Sequence, residues 1–281
     1  DAPLVVTESA PPPVATVAQP SEPEPHAGRD PESAVTPPEV TTTTSTIPPI
    51  PELSRPVRMI VAGDSTGEAY GNGVVSWAAA SPETAQAELN VERGCGFVRD
   101  GEYLLDGEWF DVRDDCSDWL ERDLPDRVAE TGADVVLMVT TSWDVLDRRW
   151  DGDDGFATET DEMRARLRFD FTRVTDAVLA EGAGAVVWVK APIPNPLWFS
   201  RGTAQEQPAR HAVLHEVMDE VAAANPGEVY VVDLLEYFDD VGYTDDVDLR
   251  PDGVHVTPEA AQTIAADFLG EQLIRAALDL F

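Results

Sequence analysis

Ser65 stands in Gly63-Asp64-Ser65, directly after the apolar run Val57 to Ala62, and His255 stands three residues after Asp252 in Asp252-Gly253-Val254-His255. A hydroxyl, an imidazole and a carboxylate are the groups that make serine an acyl-group nucleophile: the imidazole takes the hydroxyl proton, and the carboxylate orients the imidazole and stabilises its charged form. Each motif also has a plainer use. Ser65-Thr66-Gly67 fits a helix cap, Asp252-Gly253 fits a turn, and a single histidine is commonly a surface or core residue. Their joint placement tips the balance, because few structural needs put a serine after a strand and an Asp-x-x-His loop just before the closing helix.

Such groups work only if the chain gathers them. The run Val57 to Ala62 reads as a buried first strand, followed by a helix over about 71–80 and a second strand over 87–91. A polar, acid-rich excursion precedes a short helix near 117–130, and 134–139 is apolar throughout, as in a parallel strand covered on both faces. Met163, Leu167, Phe171, Val174 and Val178 carry helical spacing over about 159–181, and Gly182 and Gly184 end that helix before a strand at 185–189. Pro192-Ile193-Pro194-Asn195-Pro196 forces a rigid loop; a helix near 205–224, a strand at 228–232 and a final helix from Thr257 follow. The alternation predicts an α/β domain with a parallel sheet and helices on both faces. Ligands of such sheets sit beyond the carboxyl ends of the strands. Ser65, Gly94 and Gly96, Trp143 and Pro192 all occupy strand-end positions in this reading.

Residues 1–56 hold fourteen of the 23 prolines, a Thr41-Thr42-Thr43-Thr44 run, no aromatic residue and no lysine. That composition predicts a disordered Pro/Thr-rich linker, with the domain proper over 57–281. The formal net charge of −35 disfavours nucleic acid and anionic membranes as partners through like-charge repulsion. Asp151, Asp153 and Glu162 fall at positions 1, 3 and 12 of a calcium-loop template, but Phe156 occupies the position that needs glycine, so no metal is predicted. His211 and His215 are four apart on a predicted helix but lack the glutamate of H-E-x-x-H, and read as exposed helix residues. Trp109, Trp119, Trp188 and Trp198 have the chemistry to stack on sugar rings, although packing is the commoner use of an indole.

Cys95 and Cys116 lack CxxC spacing, which argues against zinc or redox catalysis. In an exported protein they would form one disulfide closing a loop of about twenty residues; in a cytosolic enzyme they would stay reduced. The Pro/Thr-rich stalk favours an extracytoplasmic location. The chain opens in what reads as mid-linker, so it is expected to be the soluble part of a longer, membrane-tethered protein.

At these motifs the chain resembles the SGNH (GDSL-type) hydrolase superfamily over about 57–281. Gly63-Asp64-Ser65 matches the first block and implies Ser65 as nucleophile. Asp252 and His255 match the last block, implying His255 as base and Asp252 as its orienting carboxylate. The second-block glycine, whose backbone N–H joins that of Ser65 in the oxyanion hole, falls on Gly96 or Gly94, with Gly96 favoured. The third block, Gly-x-Asn-Asp in the family, is Thr141-Ser142-Trp143-Asp144 here, so Trp143 stands where the oxyanion asparagine belongs, and the resemblance leaves two roles for it: its indole N–H replaces that donor, or its ring walls the pocket. Asp144 is expected to pair with Arg148 one helical turn on. Gly-Cys-Gly, the second cysteine, the Trp-Asp third block and the Pro/Thr-rich lead-in resemble SGNH domains fused to membrane acyltransferase-3 proteins, which O-acylate bacterial surface glycans. The resemblance implies a flavodoxin-like three-layer α/β/α sandwich with a mostly parallel five-stranded sheet. It also implies acyl transfer or ester hydrolysis through acyl-Ser65 without a cofactor, an acyl donor (acetyl foremost) and a glycan acceptor as partners, and an upstream membrane domain. Gly63-Asp64-Ser65-Thr66-Gly67 also satisfies the α/β-hydrolase elbow, but that fold puts its serine after a central strand and its acid and histidine on separate loops. The competing expectation is a catalytically quiet glycan-binding or regulatory module, motivated by Trp143.

Overall fold

The computed structural model describes residues 48–150, 154–198 and 202–281. Five parallel strands form one sheet in the order β2-β1-β5-β7-β8, with β1 (Val57–Gly63), β2 (Ala85–Val91), β5 (Val135–Val139), β7 (Val186–Lys190) and β8 (Val229–Asp233). This is the flavodoxin-like order, and it reverses direction at β1, the switch point where such sheets bind ligands. The sheet is parallel throughout.

Alternation along the strands sorts the core into two layers. Met59, Val61, Leu137, Val139, Val187, Val189 and Val232 face α1 (Ser65–Ala80), α6 (Leu234–Val241), α7 (Pro258–Ile264) and α8 (Gly270–Ala277). Ile60, Ala62, Val136, Met138, Val186 and Trp188 face α3 (Leu124–Thr131), α4 (Asp161–Ala180) and α5 (Pro208–Ala224). A strand covered on both faces has no polar side to display, which is why 135–139 lacks alternation in sequence. Ile50 and Leu53 pack on the first layer, and Arg275 donates to the Pro48 carbonyl at 2.8 Å.

The strands lie close to their expected positions, with three differences around them. The first helix begins at Ser65 rather than near 71. The helix near 117–130 is broken into α2 (Asp114–Asp118), a π-type turn (Trp119–Asp123) and α3. The acid-rich excursion carries β3 (Glu102–Leu105) and β4 (Glu108–Asp111), which join β6 (Arg148–Arg149) in a small antiparallel sheet ordered β4-β3-β6. Of the calcium-template residues, Asp151 and Asp153 lie outside the described residues and Glu162 is in the first turn of α4.

His211 is only 1% exposed, contrary to its expected place on an open helix face. The turn Ala204–Glu206 folds over it, and its Nε2 meets the Gln205 carbonyl at 2.9 Å. Burial pushes its pKa down to about 4, so the ring is neutral at pH 7. The four tryptophans also separate: Trp119 and Trp188 are core residues, Trp109 lies under the Arg149 guanidinium, and Trp198 is exposed.

Candidate active site

The carboxyl ends of the strands align: Gly63 pairs with Val91 on one side and Val139 on the other. Directly after Gly63, Asp64 caps α1, its Oδ1 accepting from the N–H groups of Thr66 (2.7 Å) and Gly67 (3.2 Å). The capping role therefore belongs to Asp64 and leaves the Ser65 hydroxyl available. Asp64 is 1% exposed; burial pushes its carboxyl up to about 6, against the two backbone hydrogen bonds that pull it down. Ser65 is the first residue of α1, where the helix dipole offers partial positive charge and N–H groups lack intrahelical partners. Among the described residues its N–H donates to no acceptor.

Facing it is the loop before α7. Asp252 Oδ1 accepts from the N–H groups of Val254 and His255, both at 2.8 Å, closing a local turn that aims the remaining oxygen at the imidazole. Asp252 Oδ2 lies 2.7 Å from His255 Nδ1, and His255 Nε2 lies 2.8 Å from Ser65 Oγ. A carboxylate on Nδ1 fixes the tautomer that presents Nε2 as the acceptor of the serine proton. Burial alone would raise the Asp252 carboxyl, but the hydrogen bonds from the His255 ring and the two N–H groups outweigh it, and its pKa falls below the ordinary value. Asp252 is therefore ionised at neutral pH.

This loop is locked to the proline-rich segment after β7. The Asn195 N–H donates to the Gly253 carbonyl (2.8 Å), and the Leu197 N–H to the Asp252 carbonyl (3.0 Å). Gly253 has φ +83°, and a Cβ there would lie 1.7 Å from the Asn195 carbonyl oxygen, so only glycine fits. Buried Arg250 donates to the carbonyls of Ile193 (3.0 Å) and Thr244 (2.7 Å), pinning both sides.

An open cleft of about 380 Å³ lies over Ser65 and His255, lined also by Glu68, Ala69, Asn72, Arg93, Val256 and Pro258. With α1 starting at Ser65, positions 65, 68, 69 and 72 follow i, i+3, i+4, i+7 spacing and share one helix face. Starting the helix near 71 hid Glu68 and Asn72 in the sequence, and moving the start back recovers them. Arg93 forms a two-pronged ion pair with Glu68, whose pKa is lowered chiefly by that hydrogen bonding.

The second and third strand ends are built together. Asp144 is fully buried and accepts from the N–H groups of Phe97 and Val98, both at 2.8 Å, and from Thr140 Oγ1 at 2.6 Å. It makes no hydrogen bond to Arg148, contrary to expectation. The segment between them is a loop running into β6, so i,i+4 spacing does not bring their side chains into hydrogen-bonding contact, although the Asp144 charge still acts on the buried guanidinium. Arg148 instead donates to the Trp143 carbonyl at 3.0 Å and lies over the Tyr103 ring. A Cβ at Gly96 would sit 2.3 Å from Asp144 Oδ1, which accounts for glycine there. Among the described residues the Gly96 N–H donates to no acceptor. Cys95 and Cys116 are joined in a disulfide, their Cα atoms 5.4 Å apart, and Phe97 is buried edge-on against Trp188. Trp143 packs its ring edge-on to Tyr103, and neither it nor Gly94 nor Gly96 lines the cleft over Ser65. Cys95, Asp115 and Cys116 have metal-ligand separations, but both sulfurs are committed to the disulfide.

No curated protein matches the chain in sequence. Among solved structures, a lipase/acylhydrolase from Enterococcus faecalis superposes with a TM-score of 0.51 at 17% identity, covering 78% of this chain and 96% of that one. A gut microbial diltiazem-metabolizing enzyme superposes with a TM-score of 0.50 at 13% identity, covering 78% of this chain and 47% of that one. The periplasmic domain of a Salmonella ser. Paratyphi A lipopolysaccharide acetyltransferase aligns more loosely, with a TM-score of 0.44 at 11% identity over 80% of this chain and 85% of that one. At such identities the first two likenesses bear on fold alone. The family comes from the sequence: the model for the SGNH domain (fused to AT3 domains) matches residues 35–270, most of the chain, and the chain belongs to that family.

Proposed function

We propose that the protein is a serine-dependent acyltransferase or ester hydrolase that works through an acyl-Ser65 intermediate. The observation that carries the reading is the unbroken run of contacts from Asp252 Oδ2 through His255 to Ser65 Oγ at the switch point of the sheet. His255 Nε2 takes the Ser65 proton while Oγ attacks an ester carbonyl, and Asp252 stabilises the imidazolium. The N–H groups of Ser65 and Gly96, uncommitted to the protein, are the donors assigned to the oxyanion. The acyl group then passes to a hydroxyl or to water, and no step needs a metal or organic cofactor.

Fusion of the family to AT3 domains supports a membrane acyltransferase partner domain and an extracytoplasmic site; in this reading that domain presents the acyl donor and a bacterial surface glycan is the acceptor. The disulfide suits that oxidising location. Among the described residues, no helix is long and apolar enough to cross a membrane.

The test is acetate release from p-nitrophenyl acetate together with covalent labelling by a fluorophosphonate. Wild type is expected to be labelled at Ser65, and Ser65→Ala to lose about 10⁶-fold in turnover. Equal rates and no labelling would instead favour a catalytically quiet glycan-binding module, the reading motivated by Trp143 in place of the oxyanion asparagine.

A further inference from the structure

Trp198 is 53% exposed, and its ring lies nearly parallel to that of His255, with centroids 6.1 Å apart and planes 13° from parallel. It directly follows Leu197, whose N–H is bonded to the Asp252 carbonyl, so the loop carrying the indole is anchored to the one that positions the histidine. Pro192, Pro194 and Pro196 stiffen the approach to it. The ring contact sets the indole beside His255, which lines the cleft over Ser65. That cleft also carries the hydrogen-bonding side chains of Asn72, Glu68 and Arg93, and an indole face next to such a polar cleft is complementary to a pyranose, which has an apolar C–H face and an equatorial rim of hydroxyls. Phe169 is similarly exposed but belongs to α4, where its ring lies beside the Arg166 guanidinium and not beside His255.

We propose that Trp198 is the acceptor platform: a pyranose ring stacks on its indole and thereby delivers one hydroxyl to His255 Nε2. The proposal rests on the acyl-Ser65 reading for its chemistry. The acceptor hydroxyl gives its proton to Nε2 as its oxygen bonds to the acyl carbon. Collapse of the adduct breaks the bond from that carbon to Ser65 Oγ, and His255 returns the proton to Oγ. Trp198 takes no part in bond making and decides which hydroxyl compound, sugar or water, meets the acyl-enzyme.

The experiment measures product partitioning, which is independent of how fast Ser65 is acylated. The 281-residue chain is supplied with p-nitrophenyl acetate and either methyl β-D-glucopyranoside or the acyclic 1,2-propanediol, and acetylated acceptor is compared with free acetate. For Trp198→Ala the ratio is expected to fall about tenfold with the glucoside and to change much less with propanediol. Trp198→Phe, which keeps a ring face, is expected to recover most of the loss, and Phe169→Ala to behave as wild type. An equal fall with both acceptors, no fall, or no acetylated glucoside from an acylated wild type would overturn the proposal. Saturation-transfer NMR with the glucoside and Ser65→Ala protein reads stacking without chemistry. Transfer to the sugar C–H protons that disappears in the Ser65→Ala, Trp198→Ala double variant supports the platform. Absence of transfer overturns it, whether or not Ser65 is acylated.

Discussion

Asp252 and His255 are oriented to each other by devices only a few residues long, within a turn that as a whole is locked to the segment after β7. Two N–H groups of the same turn hold one carboxylate oxygen, the other oxygen meets the imidazole three positions on, and Asp64 caps its own helix to set Ser65 at the first position. Gly96 and Trp143 are placed otherwise. Their segments meet through buried Asp144, which reaches nearly fifty positions back to Phe97 and Val98, and through a disulfide, a buried phenylalanine and the small antiparallel sheet. The first region stays partly exposed and is tuned by local hydrogen bonds, while the second is anchored in the core. A local device can be lost without unfolding its surroundings, whereas a buried tertiary one carries stability and site geometry together.

The sharpest way to break this contrast is to remove one carboxylate from each region. Asp252→Asn is expected to cost about 10⁴-fold in turnover while leaving the urea midpoint close to wild type, because its oxygens serve a half-exposed turn. Asp144→Ala is expected to cost about 10²–10³-fold through displacement of the Gly96 N–H. It should also destabilise by about 3 kcal/mol or more, because three buried donors lose their acceptor. Equal stability of the two variants would show that the regions are not built differently. Reduction of the Cys95–Cys116 bond, which closes a loop of 21 residues, is expected to lower stability by about 3 kcal/mol, read as a drop in Tm without loss of fluorophosphonate labelling at Ser65. The smallest effect is assigned to Trp143→Phe, which deletes the indole N–H and keeps a ring against Tyr103. Turnover within about twofold of wild type fits a packing residue, whereas a loss of about 10²-fold would make Trp143 an oxyanion donor.

Much of the scaffold was legible because hydrophobic period and burial are locally coded. The apolar runs around 57–62, 134–139 and 185–189 became central strands, and the spacing of Met163, Leu167, Phe171, Val174 and Val178 became the buried face of α4. The start of α1 was misread because Gly67, Gly71 and Gly73 are poor helix formers. Gly71 and Gly73 are accepted because their missing side chains make room for neighbours, among them the Ala261 carbonyl oxygen, which would lie 2.1 Å from a Cβ at Gly73. That misreading concealed Glu68 and Asn72. The burial of His211 was illegible for a related reason, since the turn that covers it comes from an irregular segment with no periodic signal.

The sequence by itself determined the strand–helix alternation, the Asp-x-x-His turn and a serine at the end of the first strand, since each depends on residues within a few positions of one another. Only the tertiary structure decided that Asp144 serves the second strand end rather than Arg148, and that of four tryptophans only Trp198 stacks on His255. It also decided that Trp143 packs edge-on against Tyr103 of the small sheet. Those outcomes depend on which distant segments compete for the same buried donor or the same patch of surface, and that competition is resolved only when the sheet has assembled.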